Sequence, residues 1–338
     1  MNLKLLLKRG ALIAAANWPT VAMQFVAETT FQVLVAIPIL GAALLVAVVI
    51  GTDLAELLQG GLRDIATRIA GALTAEPIAL VSFGIAFGIT LTAASVLMFL
   101  VKGGVLDVLL AAEQSAGAIE IEPISIDTIE PAACFTLERF IKGCARLFKP
   151  YLALGFVLLV TYGLTAAAYV AFAVYGFRVA GVLGVVGLTS LAAAAALVLI
   201  AWVTFINFVY LLMQIAMAAD NIGVAGAFRA VMSFMRAELV LLAQIFLVTL
   251  GIEIGATLVS ALAWSGLGLI AFVPLVGLAV IPLQIVALAV RGLAFAYIGL
   301  TAASAYLSLY KREPRALERS SRAVMEPLGP PESGSVAG

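Results

Sequence analysis

Six stretches of this sequence, residues 30–50, 78–101, 151–175, 181–212, 239–262 and 274–310, are apolar for long enough to cross the roughly 30 Å hydrocarbon core of a bilayer as α-helices. A barrel strand would alternate over about ten residues, and these runs are continuous instead. Apolar residues make up 64% of the 338 and charged residues 11%, where a soluble domain holds about half and a quarter. So much hydrocarbon surface requires lipid as its solvent. The expected fold is therefore all-α: an integral membrane protein, a six-helix bundle built from helical hairpins with amphipathic helices at the interface. Residues 1–312 form one polytopic domain. Residues 313–338 are mostly Glu, Arg, Ser, Gly and Pro and read as a disordered tail.

Between the spans the pattern is more local. Residues 3–27 mix apolar positions with Lys4, Lys8, Arg9, Asn17 and Trp18, which predicts a helix lying at the interface with Trp18 as its aromatic anchor. Pro38 should kink the first span and Pro282 should break the last. Asp53 caps a helix with Glu56 at its third position, and residues 54–69 place Leu and Ile opposite Arg, Asp and Gln. That is an amphipathic helix on the outer surface. Pro77 suits the first turn of the next helix.

Residues 102–149 hold seven acids (Asp107, Glu113, Glu120, Glu122, Asp127, Glu130 and Glu138) against five bases. Residues 103–116 fit a helix and 119–131 an extended loop. Thr136 then caps a basic amphipathic helix, with Phe140, Ile141, Leu147 and Phe148 on one side and Arg139, Lys142, Arg146 and Lys149 on the other. The acids read as solvated and the segment as aqueous. A short turn carrying Arg178 separates the third span from the fourth.

Net charge is silent, since Lys+Arg and Asp+Glu both number 19. Their distribution is not. With six spans, fifteen Lys and Arg fall on the side of the two termini and three on the other (Arg63, Arg68 and Arg178), Arg291 being within a span. Cationic excess marks the cytoplasmic side. Both termini are expected there, in the inner (plasma) membrane of a bacterial cell.

Shifting the chain by 87 residues aligns Ile141-Lys142 with Phe228-Arg229, and Leu147-Phe148-Lys149 with Phe234-Met235-Arg236. Each stretch runs into an apolar span and a return span. The helix at 3–27 introduces the first hairpin, so the pattern suggests three parallel units; chance likeness between basic segments that precede a span is the alternative. A short amphipathic helix such as residues 225–230 feeding a long hairpin resembles the plan of uncharacterised bacterial multi-pass families. It also resembles the membrane domain attached to some glycerophosphodiester phosphodiesterases, over residues 135–310. The catalytic domain of those enzymes is absent here, so the resemblance implies a fold and no activity.

Glu253 and Arg291 are the charges deep within spans, and an unpaired one there costs about 3 kcal/mol. They are expected to pair between the fifth and sixth spans, as a strut or as a coupling site for an ion. Asn207, Gln214, Gln244 and Gln284 can bond across helices. The small pairs Gly292/Ala296 and Gly299/Ala303 permit close helix approach, and Tyr297, Tyr306 and Tyr310 read as an interfacial belt.

Of enzymatic chemistry the sequence says little. Histidine is absent, which removes the commonest general base and zinc ligand. Cys134 and Cys144 read as apolar fillers in a reducing compartment. The glycines of residues 181–187 imitate a dinucleotide loop but begin a span and follow no strand. No catalytic residue, metal or cofactor is assigned. The expectation is a non-enzymatic scaffold, partner subunit or envelope factor, its partners being the lipid bilayer and a second protein or second copy, with no nucleic acid. A transporter or channel subunit using Glu253 and Arg291 is the alternative, and a lipid-modifying enzyme the third reading.

Overall fold

The computed structural model describes residues 2–50, 77–123, 125–271 and 276–325, so the amphipathic helix expected over 53–69 lies outside the described residues. In chain order the elements are α1 (Leu3–Ala16), α2 (Trp18–Ile50) and α3 (Pro77–Ser115). There follow a short α4 (Ile126–Ile129) with a 3-10 turn (Glu130–Ala132), then α5 (Leu137–Asp220), α6 (Val224–Ala271) and α7 (Val276–Met325). Six helical stretches are long and apolar enough to span a membrane, and among the described residues there is no strand. The chain is an all-α membrane bundle.

One of these helices is a hairpin. At Gly184 the backbone leaves the helical region (φ 67°, ψ 176°), a conformation open to glycine and costly to residues with a Cβ. Tyr151 donates to the Gln214 carbonyl (2.9 Å), Tyr162 to Asn207 Oδ1 (2.7 Å), and Trp202 Nε1 to Thr165 Oγ1 (3.1 Å). Each pair lies at nearly equal distances along the chain on either side of Gly184. Residues 137–183 and 185–220 are therefore two antiparallel arms. The turn falls at Gly184, six residues beyond Arg178, because glycine supplies the positive φ that a reversal needs.

The repeat is visible in the register of burial. Helices begin at Leu3, Leu137 and Val224. Three, seven and ten residues on, each carries a buried stripe: Leu6, Gly10 and Ile13; Phe140, Cys144 and Leu147; Ala227, Val231 and Phe234. That spacing is one face of an α-helix. Thirteen or fourteen residues on comes a helix-perturbing position: the break at Asn17, the in-helix Pro150, and Glu238, whose φ of −122° kinks α6. Each unit thus has a lead helix, an outgoing span and a return span.

The units close on one another. The lead helix of unit one packs on the end of α7, so tightly that a Cβ on Gly10 would lie 2.4 Å from the Thr301 carbonyl. That of unit two packs on α3, where a Cβ on Gly104 would meet Cys144 Sγ and the Phe140 ring at 2.7 Å. That of unit three lies on the return arm of α5, its Val224 and Phe228 beside Val209 and Met213. The result is a ring of three with its apolar core at one end of the molecule, hereafter the head. Beyond it the hairpins run on with exposed apolar faces, such as Leu164 and Leu197 at 69%.

This arrangement corrects several expectations. The helix α1 is no surface-lying amphipathic helix; Leu6, Arg9, Leu12 and Ile13 are buried inside the head, although Trp18 is exposed. Tyr306 and Tyr310 are core residues and no belt, with Tyr310 edge-on to Phe234 at 5.2 Å. The helix expected over 103–116 is the end of α3, continuous with the span. The stretch read as extended contains α4, capped by Ser125 and Thr128 in a reciprocal box. Thr136 Oγ1 does cap α5, accepting from the Arg139 amide at 3.2 Å. Ile141, expected on the buried face, is exposed. The backbone of α7 passes through Pro282 and stays helical to Met325, into the stretch read as tail.

Candidate functional site

Two polar regions stand out, one sealed in the head and one open in the membrane half. The sealed one gathers around Arg9. Its place on the buried face of α1 turns the guanidinium toward the end of α3 and the loop that follows. Nε meets both Glu113 oxygens (3.0 and 2.9 Å), and Nη1 meets Glu120 Oε2 and the Gly117 carbonyl, each at 2.6 Å. Gly117 adopts φ 56° just past the end of α3, the usual glycine stop of a helix, and its carbonyl is the one that Arg9 reaches. Arg312 from α7 takes the other Glu120 oxygen at 2.9 Å, and Ser308 donates to Glu113 at 2.6 Å. The three side chains of the ion pairs at Arg9 are 5–9% exposed.

The electrostatics follow from this packing. Burial alone works against the Arg9 cation, but the hydrogen bonds and charges of Glu113 and Glu120 outweigh it and raise its pKa above the ordinary arginine value. Burial likewise opposes the Glu120 anion. Backbone and guanidinium donors from Arg9 and Arg312 prevail, and hold its carboxyl below the usual range. The knot joins unit one, the 116–136 connection and unit three.

Further clamps surround it. Asn17, fully buried, donates to the carbonyls of Ile13 and Ala132 and accepts from the Cys134 amide at 2.9 Å. Arg146 pairs with Asp107 at 2.7 Å and reaches the Ala218 carbonyl. Tyr310 donates to Asp220. The acids read as solvated therefore divide: Asp107, Glu113 and Glu120 hold the head together, whereas Glu138 meets only the exposed Lys142. Sequence reasoning missed the knot because its members lie over a hundred residues apart. The available signal was Arg9 and Glu113, each falling on the apolar stripe of its helix.

The open region is a groove of about 680 Å³ between α2, α6 and α7, lined by Glu28, Thr29, Gln32, Thr257 and Arg291 with Phe25, Ile285 and Leu288. Arg291 is exposed into it. The expected Glu253–Arg291 ion pair is not formed: among the described residues neither makes a salt bridge, and the guanidinium lies 5.6 Å from the Phe295 ring centre. The two helices are adjacent as expected, but Arg291 opens onto the groove that α2 also lines. Glu28 accepts from Gln24 at 2.6 Å and is within electrostatic reach of Lys102, whose ammonium sits 5.9 Å from the Tyr210 ring centre.

Of the neutral residues, Asn207 does bond across its hairpin, through Tyr162. Gln214 does so through its backbone carbonyl. Gln244 lines a second groove with Lys4 and Leu241; neither it nor Gln284 has a side-chain hydrogen bond among the described residues. Gly292 accommodates the Phe25 ring. The groove at Gln244 and an apolar one at Leu154, Val157 and Thr161 occupy equivalent places, 87 residues apart, in units three and two.

These features define an α-helical multi-pass membrane protein with a fastened head and a lipid-facing remainder. No protein-family model matches the chain, and no match is found among curated proteins or solved structures.

Proposed function

We propose that the protein is a non-enzymatic scaffold of a bacterial inner membrane, with its head and both termini on the cytoplasmic side. The observation that carries this reading is the contrast in exposure. Glu113 and Glu120 are neutralised and buried, while the hairpins present long apolar faces of the kind that meet lipid or partner helices. Photo-crosslinking residues placed at Leu164, Leu197 and Val259 in the native membrane test it. A discrete protein adduct, to a partner or to a second copy, is expected on one face of a hairpin; lipid adducts alone at all three positions would overturn it. Orientation is tested by single cysteines at Gln59 and Ser320 with an impermeant reagent on intact cells. Only position 59 should react, and the reverse would invert the topology.

A carrier is the second reading, favoured by the groove that reaches Arg291. A cysteine at Thr257 that reacts with an impermeant thiol reagent from either side in turn would support it. Reaction from one side alone would reduce the groove to a binding site.

A further inference from the structure

We infer that the groove at Arg291 binds the phosphate of an anionic glycerophospholipid drawn laterally from the bilayer leaflet next to the head. Three observations point to this occupant. The first is charge. Glu28 accepts from the Gln24 amide, whereas Arg291 has no carboxylate partner among the described residues. Arg291 is thus the cation that the groove leaves without a salt bridge, and it can take the oxygens of one phosphodiester. A bare guanidinium facing hydrocarbon is costly, and a planar fork of N–H donors fits phosphate oxygens two at a time.

The second observation is depth. The regular buried stripe of the head ends on α7 at Ala296 and on α2 at Ala27, beyond which α2 buries only Pro38 and Ala42 among the described residues. Arg291 lies five residues beyond the first, about 7.5 Å at a rise of 1.5 Å per residue, and Glu28 one residue beyond the second. The charged groups of the groove therefore sit where a headgroup region meets the acyl region. Thr29, Gln32 and Thr257 add neutral hydrogen-bonding groups to its lining.

The third is polarity along the groove. Farther from the head its wall turns apolar, through Leu288 and Ile285 on α7, and a shallower depression continues along α2 past Val26, Val33 and Leu34. A molecule with a charged head and hydrocarbon tails matches this order; a free phosphate uses only the first part.

The test is native mass spectrometry of the full chain in detergent, titrated with phosphatidylglycerol, phosphatidylethanolamine or phosphatidylcholine of equal chain length. Phosphatidylglycerol should be retained preferentially. Arg291→Gln should weaken that retention about tenfold, the loss expected for a charge-assisted pair, and Arg291→Lys should restore part of it. Arg229→Gln, on the lead helix of unit three, should change it less than about twofold. Glycerol phosphate should not compete. Should Arg291→Gln fail to fold, Thr257→Phe fills the groove and must lose the lipid as well. Equal retention of the three lipids, equal losses from Arg291→Gln and Arg229→Gln, or displacement by glycerol phosphate would each overturn the inference. A missing protein partner in the crosslinking experiment leaves this outcome unaffected.

Discussion

The head and the membrane half are made from the same helices, yet they solve opposite problems. In the head, lead helices insert between return helices. Apolar stripes meet each other, and the charges that come along are closed into pairs. In the membrane half the same helices keep their apolar residues on the outside, since lipid offers them what a core would. Where burial against protein is the driving force, a lost contact is a lost stabilisation. Where lipid is the alternative neighbour, helices associate only through packing and hydrogen bonds. The lesson is that an exposed leucine in one half and an exposed glutamate in the other are each at home.

The comparison can be broken most forcefully in the head. Phe234→Ala, in its core, should cost about 3–5 kcal/mol, measured by unfolding in mixed micelles. Arg9→Met leaves Glu113 without a cation and Glu120 with Arg312 alone, and the same measurement should register a loss of about 3 kcal/mol. A loss below 1 kcal/mol would mean that water reaches the knot.

Acid is the next lever. Glu120 has a folded-state pKa below its unfolded value, so its contribution is complete above the ordinary carboxylate range, about pH 4 to 5. It is lost as pH falls through that range and on through the lowered value. Arg9 is raised and stays charged throughout this window. Head stability measured from pH 8 downward should therefore be flat, then decline below about pH 5, and Glu120→Gln should flatten part of that decline. The smallest effects belong to solvent and lipid. Lys142→Ala breaks a pair whose partners are 74% and 77% exposed, and Leu197→Ala trims a lipid-facing side chain; each should stay within about 0.5 kcal/mol. A Leu197→Ala cost near that of Phe234→Ala would show that the hairpins pack inward after all.

How much of this was legible in the sequence depends on the length scale of the cause. Fold class, the presence of six long apolar helices and the Thr136 cap are local consequences of composition and spacing, and they stand. The 87-residue repeat was legible only as a likeness between basic stretches. The structure shows it in positions such as Leu147 and Phe234, which share a buried register and little else. The sequence places Arg9 on an interfacial helix, because a lone helix gives no hint that Glu113 will cover it from the far end of the return span. Glu253 and Arg291 failed as a pair for a related reason. Depth can be counted along a helix, but the direction a side chain takes around the axis depends on which neighbours claim each face, and Arg291 opens onto the groove that α2 also lines.

The close fit between Gly10 and the Thr301 carbonyl also has a bearing on how the molecule is made. The lead helix of unit one leaves the ribosome early, but its docking surface on α7 is synthesised some 290 residues later. Units two and three can each settle against a return helix that is already in place. Unit one must wait, and at synthesis rates of about 5–20 residues per second the wait lasts tens of seconds. Glu113 and Glu120 emerge well before α7 does, so Arg9 has a place to rest in the interval. The last of the three seams to close is thus the one formed by α1, and a chain stalled before α7 would display that helix unfastened.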